Sequence, residues 1–115
     1  MNRKSARADE ALQKVEACAK KSGAPMPISI PCDLMSFKSV RAAADKMCAD
    51  FSQKGMDALV NNAGIMAFKD KATEDGCDVQ MQTNHLSHFL LAKLCMPLLE
   101  TAASLRGEAR IVGGT

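Results

Sequence analysis

Asn61, Asn62, Ala63 and Gly64 follow directly on an apolar run, Met56 to Val60. Placed just after a strand, they stand at the edge where an α/β sheet takes its ligands. The same four residues serve equally well as turn punctuation after a strand. His85 and His88 stand three apart and can share one helix face as metal ligands, but no third ligand has matching spacing. Cys18, Cys32, Cys48, Cys77 and Cys95 are too dispersed for a metal knuckle or a redox pair, and an odd number without a secretory signal points to reduced thiols. The chain contains no tyrosine, so no phenol is available as an acid/base.

The elements that must position these residues show in the periodicity. Ala8, Leu12, Val15 and Ala19 recur at helical spacing, and that stretch ends near Gly23 and Pro25. Ile28 to Cys32 is a short apolar run that predicts a strand. Ser36 predicts an N-cap, followed by the apolar stripe Val40, Ala43, Ala44, Met47, Cys48 and Phe51 of a helix that stops near Gly55. Asp57 to Asn61 predicts a second strand, and its non-alternating Ala58, Leu59 and Val60 suggest a sheet covered on both faces. Thr73 is the expected cap of a long third helix with Leu86, Phe89, Leu90, Leu94 and Leu98 on its apolar face, and Pro97 predicts a kink or break. Arg110 to Val112 begins a third strand.

Alternating helices and strands predict an α/β fold with a parallel sheet, in which ligands sit beyond the carboxyl ends of the strands. Asp33, Asn61 to Gly64, and Gly113 to Thr115 then share one edge. With 115 residues, 1–115 forms at most one domain; 47% hydrophobic and 24% charged residues argue against a disordered chain. The net charge of +2 comes from 15 basic and 13 acidic residues without a basic block, so no nucleic-acid partner is expected. Arg3, Lys4 and Arg7 are followed at once by Asp9 and Glu10, against a transit peptide, and no membrane span is expected. A cytoplasmic protein is the expectation.

Asp57 to Ala67, Asp-Ala-Leu-Val-Asn-Asn-Ala-Gly-Ile-Met-Ala, resembles the fourth strand and NNAG turn of the short-chain dehydrogenases. Gln80 to Leu91, preceded by Asp75-Gly76, is similar to the helix that follows it in that family, especially in the retinol dehydrogenase-like and WW-domain-oxidoreductase-like branch. Asn2-Arg3 and Asp33-Leu34 fit the same pattern, in order and with the right spacing. The resemblance implies a partial Rossmann-type doubly wound sheet of about three strands and three helices, without the first two strands and the C-terminal part. It also implies NADP, with NAD less favoured, and hydride transfer between nicotinamide and a small-molecule carbonyl or alcohol.

By the same resemblance Arg3 meets the adenosine 2′-phosphate, and Asp33 accepts from the adenine amino group with Leu34 packed beside the ring. Asn61, Asn62, Ala63 and Gly64 back the cofactor. Asn84 matches the helix asparagine of the catalytic tetrad, which holds a water in the proton relay. His85, His88 and Phe89 are expected to pack. A homo-oligomer through the long helix is a further implication.

The departures are equally specific. The glycine-rich TGxxxGxG turn, which presents backbone N–H groups to the pyrophosphate, would precede Met1, and the YxxxK motif would follow Thr115. Gly113-Gly114-Thr115 stands where the family approaches its catalytic serine. With strand order 3-2-1-4-5-6, the two missing strands would leave a gap of roughly 14 Å between the first two predicted strands. The expectation is thus a truncated central segment of such an oxidoreductase, inactive alone; a non-catalytic interaction module or a degenerate fragment is the alternative.

Overall fold

The structure, a computed structural model, describes residues 6–66 and 70–113. Helix α1 is Ala6–Ser22, α2 is Phe37–Phe51, strand β1 is Ala58–Asn61, and strand β2 is Arg110–Gly113. Between the strands runs one long helix, α3, Val79–Arg106. This is an α/β fold. The strands pair in parallel, with Ala58 opposite Arg110, Leu59 opposite Ile111, Val60 opposite Val112 and Asn61 opposite Gly113, so α3 is the crossover a parallel pair requires.

Several boundaries follow from local chemistry. Gly23 ends α1 at φ +74, a conformation glycine adopts without a Cβ penalty. Ser36 caps α2, its hydroxyl accepting from Ser39 N at 3.3 Å. Val40, Ala43, Ala44 and Met47 of α2 are buried against Leu59 of β1 and Leu91, Cys95, Leu98 and Leu99 of α3. Gly55 lies at φ +76 against α3, where Met56 N donates to Leu98 O at 2.9 Å. A Cβ on Gly55 would lie 2.5 Å from Ala102 N, so only glycine fits.

Five expectations need correction. Residues 28–32 form no strand of the sheet, which among the described residues has two strands; Pro31 enters only an isolated bridge. Pro27 and Pro31 carry no N–H for a ladder, and Ile30 and Cys32 join the core without strand pairing. The sheet is not covered on both faces either: Leu59 is buried, but Val60 is 60% exposed and Ile111 and Val112 are exposed. Both packed helices meet the sheet on the Leu59 side.

Asp78, not Thr73, caps α3, accepting from Met81 N at 3.0 Å. The helix also runs unbroken through Pro97. Of the face predicted, Leu98 is buried and Leu90 and Leu94 pack partly buried on the core, but the buried positions also include Val79, Thr83, Ser87, Leu91, Cys95 and Leu99, and Phe89 is 66% exposed. Steps of four drift by about 40° each in a regular α-helix. A π turn at Gln82–Leu86 takes up part of that drift.

By length and composition α3 also suffices to cross a membrane, which the sequence reading did not anticipate. About 33% of its most apolar stretch is buried, and the buried side packs on α2 and β1.

Candidate functional site

The turn after β1 is held from behind by Asn84. Its Nδ2 donates to Ile65 O at 2.7 Å, and its Oδ1 accepts from Ile65 N at 2.8 Å. One side-chain amide thus pairs with both backbone groups of Ile65, as a neighbouring strand would. Asn84 occupies the middle of the π turn, so the irregular part of α3 is what faces the turn. Gly64 passes close by: a Cβ there would sit 3.4 Å from Asn84 Oδ1.

A second polar cluster anchors the loop before α3. Gln82 is fully buried; its Nε2 donates to Asp75 Oδ2 at 2.8 Å, and its Oε1 accepts from the Thr73 hydroxyl. Asp75 Oδ2 also accepts from Phe37 N at 2.8 Å, tying the loop to the start of α2. Ser87, equally buried, donates to Leu34 O at 2.6 Å. Thr73, expected as a helix cap, instead accepts from Asp75 N within its own turn.

Three adjoining cavities surround the turn. One of about 210 Å³ is lined by Leu34, Asn61, Asn62 and Ala63 together with Cys32 and His88. A second, about 310 Å³, lies between Asn61, Gly113 and the helix residues Asn84 and His88. The third, about 530 Å³, brings Asn62, Ala63, Gly64 and Asn84 together. Asn61 and Gly113, paired across the sheet, close the carboxyl ends of both strands.

The predicted residues therefore divide. Leu34, Asn61, Asn62, Ala63, Gly64 and Asn84 converge on these cavities. Asp33 lines a separate hollow with Lys71 and Thr73, and its Oδ1 accepts from Met35 N at 3.0 Å. Arg3 lies outside the described residues, as do Gly114 and Thr115. His88, expected only to pack, lines all three cavities, and its Nδ1 lies 3.0 Å from Asn84 O. Its position four residues after Asn84 was the available signal.

The residues fit a nucleotide cofactor on two counts. Small groups at Ala63 and Gly64 leave the turn open beside the third cavity, and Asn61 Oδ1 is buried beside the other two with no hydrogen-bond partner. Burial raises the thiol of Cys32, in the first cavity wall, above its ordinary value. It pushes that of Cys95, deep in the core, up to about 11. Buried thiols of this kind are unreactive. Among the described residues no group of three or more His, Cys, Asp or Glu is gathered as a metal would need.

A parallel pair with a helical crossover and a site at the strands' carboxyl edge define a Rossmann-type α/β protein. The family described as Enoyl-(Acyl carrier protein) reductase matches residues 5–112. An uncharacterized oxidoreductase of Schizosaccharomyces pombe is 45% identical over 82 residues, 70% of this chain and 24% of that protein. Human retinol dehydrogenase 14 is 43% identical over 74 residues, 64% of this chain and 21% of that protein. The NADPH-bound carbonyl reductase from chicken fatty liver superposes with a TM-score of 0.68 at 28% identity, covering 96% of this chain and 44% of that one. The chain belongs to the short-chain dehydrogenase/reductase family, and it spans about a quarter or less of the length of these curated relatives.

Proposed function

We propose that this chain contributes the central cofactor-facing part of an NADP(H)-dependent oxidoreductase acting on a carbonyl or alcohol, with a lipophilic substrate favoured by the retinol dehydrogenase relatives. The observation that carries it is the Asn84 clamp on Ile65, which fixes an open Asn61–Gly64 turn at the shared carboxyl edge.

Bound NADP(H) would supply the hydride. Asn61, Asn62, Ala63 and Gly64 form the wall against which it lies, and Leu34 packs on its adenine side. Asp33, at the edge of its own hollow, would accept from the adenine amino group, and Arg3, outside the described residues, would pair with the 2′-phosphate. Asn84 is the helix asparagine matched to the proton relay; its side chain holds Ile65 and its backbone carbonyl faces His88 Nδ1. No tyrosine is present in the 115 residues, so they do not themselves supply the tyrosine acid/base that the family resemblance implies. A cytoplasmic location, a small-molecule substrate and no nucleic acid or membrane span complete this reading.

The test is an NADPH fluorescence titration of the protein expressed from its own locus with any flanking sequence included, followed by assay against aldehydes and ketones. Saturable binding, and its loss in Gly64→Val, is expected. A well-folded protein with neither binding nor turnover, or stop codons in place of the flanking TGxxxGxG and YxxxK motifs, would sink the proposal. The 115-residue chain alone should show no calorimetric NADPH binding.

A non-catalytic interaction module is the second reading, favoured by the exposed Met81, Phe89 and Met96 along α3. Sedimentation of the isolated chain as a dimer that Phe89→Asp dissociates would support it, and a monomer at all concentrations would count against it.

A further inference from the structure

Three features converge on His88. Its Nδ1 lies 3.0 Å from Asn84 O, and a carbonyl oxygen only accepts, so Nδ1 carries the hydrogen and Nε2 is the lone-pair nitrogen of the neutral ring. Asn84 lies inside the π turn, where Ser87 N donates to Gln82 O in an i→i+5 bond. The same residue holds Ile65 through two bonds, so a rotation of Asn84 breaks both at once.

We propose that His88 is a positioning residue: its imidazole, held on the Asn84 carbonyl, keeps the π turn in the form that aims the Asn84 amide at Ile65. The chain of contacts runs from His88 to Asn84 to Ile65, and so to the Asn61–Gly64 turn. His88 stands where all three cavities meet, which makes it the side chain best placed to couple helix geometry to the shape of the site. The coupling is a property of the chain itself. Its consequence for cofactor binding rests on the oxidoreductase reading.

The experiment uses the 115-residue chain without cofactor. In ¹⁵N-histidine spectra at neutral pH, His88 is expected as the Nδ1–H tautomer. Amide exchange at Ile65 should quicken about tenfold in His88→Phe, which keeps ring volume but has no donor, while Met47 in α2 stays unchanged. His88→Asn, whose amide can donate from a similar position, should restore slow exchange. An Nε2–H tautomer, or unchanged exchange at Ile65 in His88→Phe, would overturn the proposal. If His88→Phe loosens Met47 as well, His88→Asn decides: slow Ile65 exchange upholds the coupling and fast exchange refutes it. Failure of the protein expressed with its flanking sequence to bind NADPH would sink the oxidoreductase reading and leave these results standing.

Discussion

The two halves of α3 are one continuous helix with opposite jobs. From Leu91 to Ala102 its inward residues are Leu91, Cys95, Leu98, Leu99 and Ala102, packed on α2 and β1. From Val79 to Ser87 the buried side chains are Val79, Gln82, Thr83 and Ser87, and the backbone takes a π turn. The apolar half gains from area removed from water, without regard to direction. The polar half gains little net energy per bond but requires each partner in place. Stability therefore concentrates in one half, and the geometry of the site in the other.

That division can be broken from either side. The largest loss is expected for Gly55→Ala, which places a Cβ against the backbone of Leu98 and Ala102 at a positive φ. Strain and overpacking together should cost about 4 kcal/mol in urea denaturation. Leu98→Ala, opening a cavity in the same half, should cost about 3 kcal/mol. Equal or larger losses from every polar-half substitution would erase the contrast.

Gln82→Ala deprives Thr73 and Asp75 of a buried partner, with an expected cost of about 2 kcal/mol. Its distinguishing sign is faster proteolysis of the loop before α3. Asn84→Ala should cost only about 1 kcal/mol, since the residue is exposed, yet abolish protection of the Ile65 amide.

The smallest effect belongs to Cys95, whose thiol burial raises from 9.0 to about 11. The unfolded chain releases that proton first, so this contribution is full below pH 9 and is lost as pH rises toward 11. Alkylation at pH 8 should accordingly modify exposed Cys18 long before Cys95; comparable rates would show that the apolar half opens readily.

Wherever one residue's own chemistry dictated the outcome, the sequence was legible. Ser36 as a cap, Gly23 and Gly55 as ends, and the α2 stripe follow from local rules and hold in the fold. Residues 28–32 looked like a strand because apolar content says nothing of a partner, and Pro27 and Pro31 weighed more once a ladder was required. The apolar face of α3 was only partly legible for a related reason: Leu98 is buried as predicted, but Ser87 and Cys95 are buried because of where the helix lies, not because they are the most apolar residues available.

By itself, then, the sequence determined an α/β chain of the short-chain dehydrogenase/reductase family, with its small-residue turn after β1, because motif order, caps and glycine ends are local properties. Only the tertiary structure decided that Asn84 reaches Ile65 across 19 residues, that Gln82 is buried to hold Asp75, and that His88 stands between the cavities. These depend on a π turn and on packing partners distant in the chain, and neither leaves a periodic trace.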